Sequence, residues 1–189
     1  MDEDDERGIR RGRLEGISDG IIAVAITLLA LGIEAPTPEP GQSLLQAFDA
    51  QTLGAIGLFA LSFFLIARLW LVHHRLFAGL PTTLAPAFVA LNFTFLAVVC
   101  LIPFATTTYS HNPDDMTALV IYTAVIAGAT ILLSLMFRES TSGSRRRSLL
   151  IPLILLSAVP VGLLIGPRYA PIVWILLLFA DASRFRRAS

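Results

Sequence analysis

Long apolar runs without charged residues are the feature that most constrains how this chain can fold. Two of them, Thr82 to Ser110 and Leu149 to Gly166, match or approach the roughly 20 apolar residues needed to cross a hydrocarbon core. A soluble domain of this length needs a charged shell, but 55% of the residues are hydrophobic and the charges fall in short clusters. The sequence therefore predicts an integral membrane protein that crosses the bilayer several times.

Five breaks in the apolar pattern divide the chain into six predicted spans. The breaks carry prolines, glycines or charges and lie at residues 36–40, 79–81, 111–115, 141–147 and 166–167. The spans are predicted at Leu14 to Glu34, Leu44 to Phe77, Thr82 to Tyr109, Asp114 to Phe137, Ser148 to Ile165 and Arg168 to Ala182. We expect an all-α polytopic membrane protein whose single six-helix domain covers residues 1–189.

The placement of arginine tests this division, because cytoplasmic loops of membrane proteins collect positive charge. Six spans put nearly all arginines on one side: Arg7, Arg10, Arg11, Arg13, Arg68, Arg75, Arg138, Arg145, Arg146, Arg147, Arg184, Arg186 and Arg187. The other side holds five acidic residues and only Arg168. We therefore predict that both termini are cytoplasmic, with residues 1–13 as an N-terminal segment and residues 183–189 as a tail.

The first apolar run, Ile17 to Ile33, has the alternative of being a cleaved signal peptide. It contains Ser18 and Asp19 and ends without a convincing small-residue cleavage site. A retained first helix is the preferred interpretation.

Asp19 lies about one and a half turns inside the first span, where a charged side chain is unexpected. A charge near the bilayer centre costs ~2.5 to 3.5 kcal/mol even on the gentlest scale. Asp19 is either an interfacial carboxylate that reaches headgroup water or a buried, partnered group. The second span runs in the opposite direction, so Trp70 and His74 lie at the depth of Ser18 and Asp19 and share one helix face. We expect these four residues to form a hydrogen-bond network.

Other polar residues of the spans are given structural interpretations. Asn92 is expected to bond across a helix interface, and Thr106 is expected at the membrane interface. The neighbours His73 and His74 point about 100° apart on a helix and have no second ligand pair, so no metal site is predicted. Residues 145–147 are interpreted as a cluster that faces lipid headgroups, not nucleic acid.

The first span also carries a stripe at helical spacing. Gly16 and Gly20 form a small-xxx-small pattern that allows close approach of helix backbones. The stripe comprises Gly20, Val24, Thr27, Leu28 and Leu31. From the residues alone, ordinary helix packing is the favoured explanation of such a stripe, ahead of a functional role.

The segment Arg13 to Asp19, which reads Arg-Leu-Glu-Gly-Ile-Ser-Asp, resembles the first-helix signature Arg-x-x-x-Phe-Ser-Asp of the transmembrane protein 175 potassium channels. Ile17 replaces the phenylalanine. Trp70 to Phe77, and Asn92 with the later Pro103-Phe104, continue the resemblance in order along the chain. It covers the first three predicted helices specifically and the remainder only by hydropathy.

This resemblance implies a passive cation channel that prefers potassium to sodium. It implies a homotetramer in the plasma membrane of a prokaryote, with lipids as neighbours, no cofactor, and potassium as the permeant ion. The first helix would line a central pore, with Val24, Leu28 and Leu31 as apolar constrictions and Thr27 as the pore threonine. The implied structural network comprises Arg13, Ser18, Asp19, Trp70, His74 and Asn92.

Two other functions remain as alternatives. In a proton-coupled secondary transporter, Asp19 and His74 would form a proton relay. The single short unit and the absence of paired broken helices in the sequence speak against it. An intramembrane enzyme is the other alternative, but the predicted spans hold no credible Ser/His or paired-carboxylate arrangement.

Overall fold

The computed structural model describes residues 9–140 and 158–170, and it is helical. Its helices are α1 (Arg11–Leu28), α2 (Ala50–Ala78), α3 (Pro86–Cys100), α4 (Ile102–His111), α5 (Met116–Ser140) and α6 (Ala158–Ile165). Short 3-10 helices cover Leu29–Gly32, Leu44–Ala47 and Pro167–Tyr169. Strands β1 (Ile9–Arg10) and β2 (Thr83–Leu84) form an antiparallel pair.

Within the described ranges, four helical segments are long and apolar enough to cross a membrane: Arg11–Gly32, Ala50–Ala78, Pro86–His111 and Met116–Glu139. They correspond to the first four predicted spans. Helix α6 lies inside the predicted fifth span. The rest of that span, most of the sixth, residues 145–147 and residues 183–189 lie outside the described residues.

Contacts between helices establish how they run. Arg11 at the start of α1 bonds to Leu80 beyond the end of α2, so these two helices are antiparallel. Helices α3 and α4 follow the direction of α1, because Asn92 meets Ser18 near one end and Thr107 lies beside Gly32 near the other. We name these the Arg11 end and the Glu34 end of the bundle. Helix α5 returns along α3 and α4.

The second span begins later than predicted. Helix α2 starts at Ala50 because Asp49 caps it, its Oδ1 accepting from the Thr52 backbone N–H at 2.7 Å. The predicted segment from Leu44 onward instead forms a separate 3-10 helix with a capping box between Ser43 and Gln46. Two consecutive cap signals therefore divide what hydropathy treats as one span.

The third span, predicted as one helix from Thr82 to Tyr109, is divided into β2, α3 and α4. Helix α3 starts at Pro86, where a proline is tolerated in the first turn. The break at Leu101 is two residues before Pro103, which has no N–H to donate and whose ring crowds the preceding turn.

The β1–β2 pair is a feature that the apolar pattern does not predict. Ile9 pairs with Leu84, the Arg11 backbone N–H donates to the Thr82 carbonyl at 2.8 Å, and the Arg11 guanidinium donates to the Leu80 carbonyl at 2.6 Å. These contacts attach the beginning of α1 to the α2–α3 connection.

Candidate functional site

Helix α1 has one buried face and one exposed face. Leu14, Ser18, Ile22 and Ala25 are buried against the other helices, and Leu29 continues this face into the 3-10 turn. The exposed face is also apolar: Ile17 is 48% exposed, Val24 55%, Leu28 43% and Leu31 79%. The predicted stripe is therefore the face that the rest of the described chain leaves uncovered.

A chain of buried hydrogen bonds joins α1, α2 and α3. The Ser18 hydroxyl donates to the Leu14 carbonyl at 2.8 Å and accepts from Asn92 Nδ2 at 3.0 Å. Asn92 Oδ1 lies 2.9 Å from His73 Nε2. Because this oxygen can only accept, His73 carries its proton on Nε2. The three helices are thus connected by one directional chain of neutral donors and acceptors.

Aromatic rings enclose the His73 end of that chain. The imidazole stacks on Phe77 with ring centroids 4.3 Å apart and on Phe95 at 5.4 Å. His73, Asn92 and Ser18 are each fully buried. Breaking one bond would strand its partner in an apolar environment, where an unsatisfied polar group is costly.

A second set of contacts joins α1 to α2 at the edge of the bundle. Trp70 Nε1 donates to Asp19 Oδ1 at 2.8 Å, so the expected contact between these residues is present. His74 Nδ1 lies 3.4 Å from Glu15 Oε1, and the His74 ring stacks on Trp70. These groups are half-exposed, unlike the buried chain.

The structure divides the predicted four-residue network into two. His74 faces Glu15 instead of Asp19 or Ser18, and Ser18 bonds to Asn92 instead of the α2 pair. The physical reason is that successive residues of a helix point about 100° apart, so Ser18 and Asp19 face different neighbours. Arg13 is exposed and takes part in neither set of hydrogen bonds among the described residues.

The residues that sequence reasoning missed are Glu15, His73 and Arg11. His73 was assessed as a metal ligand and was not assigned to the hydrogen-bond network, yet it is the histidine that the bundle buries. Its position three residues before Leu76 and four before Phe77, both buried, is the signal that marks the core face. No comparable signal distinguishes Arg11 from its arginine neighbours.

A further buried polar cluster lies between α2, α4 and α5. Ser62 Oγ is 2.9 Å from the Tyr122 hydroxyl and 3.0 Å from Thr106 Oγ1. Thr106, expected at the membrane interface, is buried between the helices of the subunit, since it is only 5% exposed. Its hydroxyl also lies 2.8 Å from the Ile102 carbonyl, one turn earlier in α4.

The exposed face of α1 has a distinct geometry at its carboxyl end. The helix tightens into a 3-10 turn at Leu29–Gly32. Leu31, in this turn, therefore follows Leu28, the last residue of α1, across a change from α-helical to 3-10 geometry. Thr27 donates its hydroxyl proton to the Val24 carbonyl at 2.8 Å, leaving the oxygen lone pairs available to a cation.

The glycines of this face are open. A Cβ added at Gly16 or at Gly20 would meet nothing within 4 Å inside the described chain. Close approach at these positions is therefore available to another molecule. Among the described residues, no three His, Cys, Asp or Glu side chains lie close enough together to hold a metal ion.

Comparisons with known proteins find similarity to potassium channels. The family model described as the endosomal/lysosomal potassium channel TMEM175 matches residues 13–103, which contain both sets of α1 contacts. A potassium channel of Streptomyces collinus is 31% identical over 127 residues, covering 67% of this chain and 61% of that relative. A potassium channel of Chamaesiphon minutus is 30% identical over 138 residues, covering 71% of this chain and 68% of that relative.

A solved structure extends the similarity to most of the described bundle. It is a crystal structure of a homolog of the lysosomal potassium-selective channel TMEM175 from Chamaesiphon minutus, with a TM-score of 0.75 and 26% sequence identity. The alignment covers 92% of this chain and 97% of the other. The sequence match spans less of the Streptomyces relative, 61% of its length.

Proposed function

This chain belongs to the TMEM175 family, and on that premise we propose that it is a potassium channel that conducts passively through a central pore. The two bacterial relatives are named potassium channels, and the solved structure is that of a homolog of a potassium-selective channel. These names do not favour a proton-coupled transporter, and a family of channels gives no support to enzymatic chemistry. The ion itself is the only small species the proposal requires.

The observation that carries the proposal is the uncovered apolar face of α1. A single subunit leaves Val24, Leu28 and Leu31 exposed on the helix that contains the family signature. Four copies of α1 around one axis would bring these residues together as successive apolar rings. Such rings can gate by dewetting, and a narrow ring forces an ion to shed part of its water.

The spacing of the three side chains suits a stack of rings. Val24 and Leu28 are separated by one α-helical turn and Leu28 and Leu31 by one 3-10 turn, each a rise of ~6 Å. Thr27 lies between the first two rings, and its hydroxyl oxygen can replace one water of a partly dehydrated potassium ion. Potassium preference would then depend on ring width together with this oxygen.

The homotetramer is part of the proposal, and the open glycines support it. Gly16 and Gly20 have no neighbour within the described chain, so adjacent copies of α1 can approach at this level. Large apolar side chains elsewhere are also exposed, such as Phe64 at 59% and Phe104 at 62%. Membrane lipids are their proposed neighbours.

We further propose one domain of six spans over residues 1–189, with both termini in the cytoplasm and the protein in the plasma membrane of a prokaryote. The one-sided arginines support this orientation. Reporter fusions at the two termini test it. A reporter active only outside the cytoplasm at either end contradicts it.

The test of conduction uses purified protein in bilayers with potassium on one side and sodium on the other. We expect a current whose reversal potential corresponds to a higher permeability for potassium than for sodium and does not move with a proton gradient. A current that is absent, or that reverses with the proton gradient, contradicts the passive channel.

The test of the pore wall compares two leucines of equal exposure. Leu28→Ala should raise conductance and weaken potassium preference, because it widens one ring. Leu71→Ala on α2 is the matched control, since Leu71 is 44% exposed and Leu28 43%. Equal effects at the two positions would remove α1 from the pore wall.

A further inference from the structure

The 3-10 turn Leu29–Gly32 that follows α1 rests directly against α4. A Cβ added to Gly32 would overlap the hydroxyl of Thr107 and would lie 3.5 Å from the Thr107 Cβ. Any larger residue at position 32 therefore requires a shift of Thr107 or of the turn, although the backbone conformation there does not require glycine. Both γ atoms of a threonine are attached directly to Cβ and a helix allows it few χ1 rotamers, so relief of the overlap requires a change of the Thr107 rotamer or a movement of the turn.

A second contact links the same turn of α4 to the chain that follows Gly32. His111 Nδ1 lies 2.9 Å from the Thr107 carbonyl, and its Nε2 lies 3.3 Å from Glu34 Oε1. Thr107 thus lies against Gly32 and His111 contacts Glu34, the residues on the two sides of Ile33. This turn belongs to a helix that starts anew after the break at Leu101.

Leu31 lies next to Gly32 and is 79% exposed, on the open side of this 3-10 turn. Because Leu31 is bonded to Gly32, the closeness of Gly32 to Thr107 affects how far Leu31 lies from α4. Pushing the turn away from α4 would move Leu31 towards the open side.

From these contacts we propose that Gly32 and Thr107 are positioning residues for the outermost apolar ring. Their contact sets how far each Leu31 extends towards the pore axis and thereby sets the width of that ring. This inference rests on the proposed function, because it requires Leu31 to line the ion path. Neither residue touches the ion, and both act through Leu31.

The experiment measures single-channel conductance and the potassium-to-sodium permeability ratio for the parent, Gly32→Ala, and Gly32→Ala combined with Thr107→Ala. We expect a loss of conductance in Gly32→Ala, because the added methyl pushes Leu31 inward. The double variant should regain the parent conductance, since its two Cβ atoms would meet at about 3.5 Å, an ordinary contact. Thermal stability of each variant is recorded alongside.

Gly57→Ala is the matched control, because a Cβ at Gly57 would meet nothing within 4 Å. It should conduct like the parent. Parent-like conductance of Gly32→Ala, or failure of the second substitution to restore it, overturns the inference. If Gly32→Ala does not assemble, Thr107→Ala alone decides: it should raise conductance by letting Leu31 retreat, and an unchanged conductance contradicts the inference.

Failure of the proposed function has a different signature. A parent that passes no potassium contradicts the channel and the inference together. A parent that conducts, combined with an unchanged Gly32→Ala, contradicts the positioning role alone.

Discussion

The buried and exposed faces of α1 are both apolar, yet their environments are opposite. Leu28 is 43% exposed and its neighbour Leu29 is 2% exposed. The buried face carries the hydroxyl of Ser18, fully buried and bonded to Asn92, whereas the exposed face carries the hydroxyl of Thr27, bonded only within its own turn among the described residues. Hydrophobicity alone therefore does not distinguish the face that holds the subunit together from the face proposed to line the pore.

The largest expected effect comes from truncating the two neighbouring leucines, which tests whether the two faces differ in packing. Leu29→Ala should destabilise the fold by about 2 to 5 kcal/mol, because it leaves a cavity in a packed core. Leu28→Ala should change stability by less than about 1 kcal/mol, since Leu28 is 43% exposed in the subunit and its truncation leaves no enclosed cavity. Thermal unfolding in detergent, monitored by size-exclusion chromatography, measures the stability of both variants. Equal destabilisation would mean that the two faces do not differ in packing as described.

The next largest effect concerns the polar chain of the buried face. Asn92→Leu should lower the free energy of unfolding by about 1 to 3 kcal/mol. It leaves the His73 donor without an acceptor and removes the amide that donates to Ser18. Thr94→Ala is the control on the same helix, since Thr94 is exposed and its hydroxyl donates only to the Ala90 carbonyl.

Combining Asn92→Leu with His73→Phe should recover part of the lost stability, because an apolar pair has no stranded group. Unfolding in detergent measures the recovery. If the double variant is no more stable than Asn92→Leu, the buried bond to His73 is not what Asn92 contributes.

A smaller effect is expected at the half-exposed edge of α1. Trp70→Phe removes the donor to Asp19 but retains an aromatic ring beside His74. Interhelical hydrogen bonds in membrane proteins average only about 0.6 kcal/mol, so we expect a loss of that order. Asp19→Asn should be milder still, because its amide oxygen can accept the same bond. A Trp70→Phe loss as large as that of Asn92→Leu would contradict the ranking of the two contact sets.

The smallest effect is expected at the helix caps outside the spans. The Thr52 backbone N–H bonded to Asp49 lowers the pKa of that carboxyl below its usual value, and the Thr117 backbone N–H does the same for Asp115. A lowered folded pKa means that this stabilisation is full above the unfolded pKa and is lost as the pH falls through the folded one.

Asp49→Asn should therefore reduce the acid dependence of stability slightly below pH ~4. Glu39→Gln, in the same connection, is the control. Thermal unfolding across this pH range measures the difference. If the stability of Asp49→Asn falls with decreasing pH as steeply as that of the parent, Asp49 does not contribute to the acid dependence.

Sequence reasoning and structure agree where a local pattern has a single physical outcome. Four apolar runs form helices long enough to span a membrane. In the hydrocarbon core a helix is favoured because it satisfies its own backbone hydrogen bonds. The contact between Asp19 and Trp70 was predictable from shared depth, since antiparallel neighbours bring those levels together. The cap at Asp49 and the break before Pro103 also have sequence signals, which the hydropathy boundaries passed over.

The sequence by itself determined that the chain is a helical membrane protein of the TMEM175 family, because hydropathy and a rare polar signature are local properties. Only the tertiary structure decided that Ser18 bonds to Asn92, that His73 is the buried histidine and that Leu29 faces the core. The physical reason is that periodicity gives the angle of a side chain around its own helix axis. Where the neighbouring helices lie around that axis, and so which angle is buried, depends on the packing of the whole bundle.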